Sequence, residues 1–433
     1  MVTPHGGETL LDVLVIGGGA AGVPAAIQAA SMGMRTMLVE KNGALGGTTT
    51  VAGVALPGLF HAWGQQVIAG IGWEMVKQAV SLAGGTLPNF SDWRQPHYKL
   101  QVPVVAPLFA ATADEAVLRS GSGLRLHTML GAVSPAGDFW RVTLCGKEGL
   151  TQVLARRIVD CSGDADVVGL AGLERESNTQ RQPGTLMVRL GGYELEELDF
   201  EALDVAYSRA VSNGELRATD LSMSERPMRR FLSSRGENTI HVTGVDGGTS
   251  VTRTAAEVEA RRTLTRIYRF LRGQEGLQNL TVDSWAIECG IRETFTIDGL
   301  ERIRSDDYLS GRHWDDAVSN SFYPIDLHRP DGDGIEIRAL PYGTVPSIPR
   351  GAMIPRGSNN LIVAGRAIAG DQEANSAYRV QASCMAMGQA AGANAALSVT
   401  ERVPMAEVPL PLLHDALRAR GAIIPGEVVI PPR

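Results

Sequence analysis

The sequence predicts an α/β protein: a parallel sheet carrying a β-meander, joined to a second domain of mixed α+β character. Three observations predict it. Val13 to Ile16 is a short apolar run with no polar face, as a central parallel strand buried on both sides requires. Gly17, Gly19 and Gly22 follow in Gly-x-Gly-x-x-Gly register, and after one helix a second apolar strand ends in Glu40. Far along the chain, Leu361 to Ala364 is again a short apolar strand, and Ala377 to Leu397 has the Ala, Met and Gly content of a helix packed tightly on a sheet.

Each element has a physical reason. Gly17 permits a tight turn after the first strand, Gly19 lets a pyrophosphate approach the backbone, and Gly22 lets the next helix pack close on the strand. That helix, Ala20 to Ser31, starts within the turn at Ala20 and Ala21 and aims its free N–H groups and positive dipole end at phosphates. Arg35 to Val39 delivers Glu40 where a carboxylate accepts from both ribose hydroxyls; it would repel a 2'-phosphate, so NADP is not expected. The unit is Rossmann-like and binds a dinucleotide. Lys41 opens a stretch whose Gly46, Gly47, Thr48 and Thr49 form a second glycine pair followed by hydroxyl residues.

Val51 to Pro107 is rich in loops, with one helix near Gly72 to Leu82. A helix at Ala110 to Arg119, a strand at Gly123 to Leu130 and a strand series from Gly131 to Ile158, broken at Pro-Ala-Gly-Asp and Gly-Lys-Glu-Gly, complete a meander that ends in the turn Gly163–Asp164. Beyond Ala171 charge and aromatics increase. Leu264, Ile267, Tyr268 and Leu271 lie at helical spacing within Thr254 to Arg272, a packing face. The expected division gives 1–55, 106–172 and 341–398 to the nucleotide domain, 56–105 to an insertion, 173–340 to a substrate or cap domain and 399–433 to a packed tail.

A chain of 433 residues can bury a sizeable core, and its 50 glycines suit many close backbone approaches. A net charge of -7 with scattered Lys and Arg leaves no footprint for nucleic acid. No apolar run is long enough for a membrane span and no leader pattern is visible, so a cytoplasmic location is expected. Cys145, Cys161, Cys289 and Cys384 form no Cys-x-x-Cys, which argues for buried, reduced thiols and against a redox disulfide or an iron–sulfur cluster. No residue cluster has metal spacing, and Gly-x-Ser-x-Gly is absent. A second glycine fingerprint is missing too, since Gly244 to Gly248 leads to no suitably placed acid.

Gly290 to Thr294, Tyr323 to His328, Val363 to Arg366, and Ser376 to Val380 continuing to Met387 to Gly392 resemble the FAD-dependent oxidoreductases with a glutathione-reductase-type nucleotide fold, distantly similar to fumarate reductase flavoprotein subunits. The resemblance implies a Rossmann-like FAD-binding domain, with Gly46 to Thr49 beside the pyrophosphate and flavin and with Gly163, Asp164, Gly365, Arg366, Arg379, Val380 and Gln381 lining the cofactor. A terminal helix starting near Ser376 would point its dipole at the flavin edge that carries negative charge on reduction.

A flavin performs the hydride transfer, so the protein orients a small-molecule substrate and supplies an acid or base. His61 is a candidate base near the flavin or a covalent attachment point, or simply a hydrogen-bonded loop histidine. Arg292 and Glu293 are a carboxylate clamp and a base, or a buried ion pair between domains. His328, beside Asp326 in a Pro-flanked loop, resembles a base held by a carboxylate. Arg338 and Tyr342 are further candidates, while Glu373 and Asn375 are helix caps or flavin contacts. Two functions compete: an oxidoreductase acting on a small organic molecule, and a flavin-bearing subunit exchanging electrons with a separate redox partner protein.

Overall fold

The computed structural model describes residues 9–221, 226–330 and 334–432; the N-terminal residues 1–8, where a leader was sought above, and Arg433 lie outside them. The first strand runs Thr9–Ile16, reaching four residues further back than its wholly apolar part. Thr36–Val39 pairs with it in parallel, and Gly123–Arg125 pairs in parallel with Thr36–Val39. The chain leaves the sheet after Arg125, so the single strand expected to Leu130 is two. Met129–Ala136 starts the meander, followed by Phe139–Gly146 and Gly149–Asp160, all antiparallel.

The strand Gly149–Asp160 belongs to two structures. Its first half closes the meander, while Val153–Asp160 runs parallel to the first strand and Ile158–Asp160 receives the late strand Leu361–Val363. Five parallel strands and an antiparallel meander therefore share one sheet, which is the α/β class expected.

Helices Gly22–Ser31 and Gln381–Glu401 both pack on this sheet and against each other. Glycine sets how closely they meet. A Cβ at Gly388 would stand 1.9 Å from the Ala21 carbonyl oxygen, and one at Gly392 would stand 2.2 Å from that of Ala25. Helix Ile71–Leu82 docks on the same layer, its first N–H donating to Gln389, whose amide also reaches Gln28 at 3.1 Å. In the tail, buried Met405, Leu413, Leu417 and Ile424 pack on this core.

Leu186 to Ile291 supplies a second core, built from short antiparallel pairs and the helices Phe200–Ser212, Pro227–Ser233 and Ser250–Arg272. Ile267 and Leu271 are buried there and Leu264 and Tyr268 pack at its edge, so the helical face noted in the sequence is a packing face. The stretch after it behaves differently from the sequence division. Ile297, Ile303, Tyr308, Val318 and Ile325 are buried in the core of the parallel sheet, and Ser321 joins Tyr308 and Ser383 by hydroxyl bonds of 2.9 Å each. Three cysteines are buried, but Cys145 is exposed at the end of its meander strand.

Candidate active site

The three glycines of the first turn occupy three different environments. A Cβ at Gly17, whose φ is +97°, would stand 2.3 Å from the Cys161 carbonyl oxygen, and one at Gly22 would stand 1.7 Å from that of Gly17. At Gly19 the nearest atom is the Gly47 Cα at 3.9 Å, so its face is open. The helix begins three residues later at Gly22, after Ala20 and the helix-flanking Ala21. Gly46 donates its N–H to the Gly18 carbonyl at 2.8 Å, which lays the second glycine pair against the first. Glu40 is buried, with one carboxylate oxygen accepting from Gly18 N–H at 2.7 Å and the other from Asn42 N–H at 2.8 Å.

The far wall of this cradle is the turn after Asp160. Asp160 accepts from Ser162, Val167 and Val168 N–H groups, fixing the turn and capping the short helix Asp166–Leu170. Arg366 spans it, donating to the Gly163 carbonyl at 2.7 Å, to Asp164 at 2.5 Å and to the Ile291 carbonyl. Burial opposes the charge of Asp164, but Arg366 and the Thr294 hydroxyl outweigh it and hold the carboxyl below the usual range. Asp166 is pushed up to about 6 by burial and then by Asp164 and Asp160. Gly365 has φ +100° and faces Ala21. Lys41 turns to the other domain, 3.3 Å from Glu288, which also pairs with Arg253 at 2.9 Å. Arg366 and Lys41 therefore fasten the cradle's walls.

Thr48 is exposed and Thr49 buried; the Thr49 hydroxyl donates to Gln381, whose amide donates to the Val54 carbonyl at 2.7 Å. The terminal helix differs from expectation. It is two helices, Gln372–Tyr378 and Gln381–Glu401, with Val380 extended between them. The long helix thus presents its N-terminus at Gln381, five residues after Ser376, and the junction Arg379–Val380 turns toward the second domain. Asp371 caps the shorter helix, accepting from Ala374 N–H at 2.8 Å. Glu373 instead pairs with Arg338, and Asn375 donates to the Arg366 carbonyl at 2.6 Å.

At that junction four distant segments meet. Arg292 donates to the Pro183 carbonyl at 2.5 Å and the Thr185 hydroxyl at 2.7 Å. Arg379 donates to the side-chain amide oxygen of Gln182 at 3.2 Å, and its Nε has no partner. His328 and His241 face one another edge to face at 5.2 Å, both about 6% exposed. The Nδ1 of His328 and the Nε2 of His241 are buried without partners. Burial, then the positive field of Arg292 and its neighbours, pushes His241 down to about 3 and His328 further, so both are neutral. Burial, then Arg379, lowers the Arg292 guanidinium to about 9.

Two expectations for this cluster change. Glu293 makes no ion pair with Arg292; it accepts from Gln182 N–H at 2.7 Å and from the Gln372 amide at 2.7 Å. His328 lies on the strand Ile325–His328 rather than in a loop, and its Nε2 stands 3.6 Å from Asp326, too far for a hydrogen bond. Gln182 and His241 were not singled out in the sequence. The signal for His241 was present, a histidine alone between Ile240 and Val242 in a buried strand.

The remaining candidates stand apart. His61 is stacked on Phe90 at 3.7 Å with Trp73 at its edge, and burial lowers it to about 4; it is an aromatic-cluster residue rather than a hydrogen-bonded one. Tyr342 packs beside Trp63 and Trp93 and donates its hydroxyl to the Pro431 carbonyl at 2.8 Å.

A family model described as FAD dependent oxidoreductase matches residues 12–417. The chain belongs to that family. FAD is its cofactor and oxidoreductase chemistry its class. The open face of Gly19 against Gly47, closed beneath by Gly17 and Gly22, fits the pyrophosphate of this FAD-dependent oxidoreductase. Among curated proteins, a segment of 52 residues is 52% identical to dihydrolipoyl dehydrogenase of Trypanosoma brucei brucei, covering 12% of this chain and 11% of that one. Another, of 37 residues, is 62% identical to mitochondrial dihydrolipoyl dehydrogenase of Caenorhabditis elegans and covers 8% of each. Among solved structures, a geranylgeranyl bacteriochlorophyll reductase-like protein of Thermoplasma acidophilum is 11% identical with a TM-score of 0.44, over 95% of this chain and 83% of that one. The p-nitrophenol 4-monooxygenase of Pseudomonas putida DLL-E4 is 12% identical with a TM-score of 0.42, over 95% and 90%. Among the described residues no helix is long and apolar enough to cross a membrane, and no group of three His, Cys, Asp or Glu is placed to hold a metal ion.

Proposed function

We propose that this enzyme transfers a hydride between a small organic substrate and non-covalent FAD where the glycine cradle meets the second domain. The observation that carries this is the cluster at Arg379, where His241, His328, Asp326 and Arg379 each keep a buried polar atom without a partner. Buried polar atoms normally find partners, so four together mark a place where a ligand completes them.

When bound, FAD supplies two-electron hydride chemistry. Gly17, Gly19, Ala20, Ala21 and Gly22 would hold its pyrophosphate, Glu40 its ribose, and Gly46 to Thr49 with Val380 and Gln381 its flavin end. Gly163, Asp164, Gly365 and Arg366 would form the opposite wall, with Lys41 tying it to the second domain. Arg292 and Arg379 orient the substrate from the second domain and the helix junction. Neutral His328 takes or gives a proton at Nδ1. The stacking of His61 on Phe90, with Trp73 at its edge, supports a cofactor held without a covalent bond to it.

Anaerobic photoreduction tests this reading. The reduced protein is mixed with a panel of small organic oxidants, and separately with cytochrome c as an added redox protein. Reoxidation by an organic acceptor without added protein is expected; reoxidation by the added protein alone would replace this reading with a partner-linked electron-transfer subunit.

A further inference from the structure

Helix Ser250–Arg272 turns to solvent a stripe in which Val258, Arg262, Thr265, Arg269 and Arg272 follow at alternating spacings of four and three. Residues so spaced share one face of a helix. The first four of them, with Arg261 and Arg266, line an open groove of about 400 Å³. The carboxylates nearby are already engaged: Glu257 with Arg261 at 3.3 Å, Asp220 with Arg266 at 2.6 Å and Glu259 with Arg217 at 2.8 Å. Arg262, Arg269 and Arg272 have no carboxylate within ion-pair distance among the described residues. The helix dipole favours cations in the last turn, where Arg269 and Arg272 stand, but it does not reach Arg262. Like charges three or four residues apart on a helix repel, so an opposite charge laid on this stripe would relieve it.

That opposite charge lies beside the stripe on the same molecule. Glu194, Glu196, Glu197 and Glu201 are exposed and have no cation within ion-pair distance among the described residues; Asp199, in the same run, caps helix Phe200–Ser212. The run sits at the turn that follows the arginine helix, since a Cβ at Gly276 would stand 3.7 Å from the Glu197 carbonyl oxygen. Strand Thr281–Trp285 starts where the two meet. The Tyr268 hydroxyl donates to the Leu280 carbonyl at 2.9 Å, and a Cβ at Gly192 would stand 2.1 Å from the Asn279 carbonyl oxygen. All five residues of that strand are exposed, Val282 and Trp285 among them. Basic stripe, acidic run and an exposed tryptophan are therefore neighbours, and within one chain the two charged surfaces make no ion pair with each other.

We infer that two copies of this chain associate about a two-fold axis near the C-terminal end of helix Ser250–Arg272, each laying its arginine stripe on the acidic run of the other. A two-fold interface is self-complementary, so a charged one must carry both signs on the same surface, as this one does. Exposed ion pairs contribute little singly. Val282 and Trp285 supply an apolar centre, and the charges form the polar rim that fixes orientation.

Sedimentation velocity of the FAD-loaded protein across a concentration series tests this. A dimer is expected at about 0.1 M salt, with a dissociation constant that rises about tenfold or more at about 1 M. Arg262→Glu combined with Arg269→Glu should leave a monomer, and so should Glu196→Lys combined with Glu197→Lys, each weakening association about a hundredfold or more. Mixing the two variants should restore a dimer, because each then offers the other the opposite charge at both contacts. A wild-type monomer at low salt, a dimer unmoved by salt, assembly beyond a dimer, reversal variants that still self-associate, or a mixture that stays monomeric would overturn the inference. The wild-type result depends on no variant folding, and melting temperature with flavin content identifies the variants that fold.

Discussion

His328 is buried and His61 half-buried, both are held neutral, and their surroundings give them different roles. His328 shares its cluster with two arginines and an aspartate and has a free Nδ1, so His328→Gln should keep the flavin and lower turnover about a hundredfold, read as kcat with flavin content measured alongside. His61 is stacked on Phe90 with Trp73 at its edge, so His61→Phe should keep both flavin and turnover. Its effect is on stability. The folded-state value of about 4 lies below the ordinary 6.5, so between them the unfolded chain binds the extra proton. Stability is therefore lost as pH falls from about 6.5 toward 4, and His61→Phe should flatten that loss in melts taken across this range; His241 acts in the same direction and leaves part of it. At this scale the glycines and Glu40 were legible, because strand, turn and acid lie within one short stretch. The cluster was only half legible. Arg292 and His328 carry chemistry wherever they stand, but Gln182, His241 and Arg379 join them only through folding of distant segments.

The pairing of helices Gly22–Ser31 and Gln381–Glu401 has little tolerance, since Gly388 and Gly392 leave no room for a side chain against the Ala21 and Ala25 carbonyls. Gly388→Val should cost about 3 kcal/mol or more and appear as a lower melting temperature with FAD lost secondarily. Gly19→Val should behave in the opposite way. Its face is open, so the apoprotein should melt within roughly 2 °C of wild type while FAD binding is lost, as read by flavin content after reconstitution. The composition of 377–397 revealed the tight helix but not its break. Arg379–Val380 has no proline or glycine to announce an end, and the break is fixed by tertiary contacts such as Arg379 to Gln182 and Gln381 to Val54. Likewise Gly123 to Leu130 read as one strand, because nothing local distinguishes the parallel strand from the meander strand that follows.

Across the whole molecule, two cores meet along a seam fastened by Arg366 to Ile291, by Lys41 and Arg253 to Glu288, and by Glu293 to Gln182 and Gln372. The division at residue 340 was read from a change in composition, but Ile297, Ile303, Tyr308, Val318 and Ile325 are buried in the same core as the parallel sheet, which composition cannot show. A cofactor lying in that sheet's cradle should stabilise it by mass action, about 2.7 kcal/mol at a hundredfold excess over the dissociation constant. Stripping FAD should lower the melting temperature, and added FAD should restore it in proportion to the logarithm of its concentration. The most direct measurement is the visible absorption spectrum of the purified protein before and after acid precipitation. The twin bands of oxidised flavin should be present and should pass to the supernatant as FAD. A colourless protein that FAD does not reconstitute, or colour that stays in the pellet, would contradict a non-covalent FAD oxidoreductase.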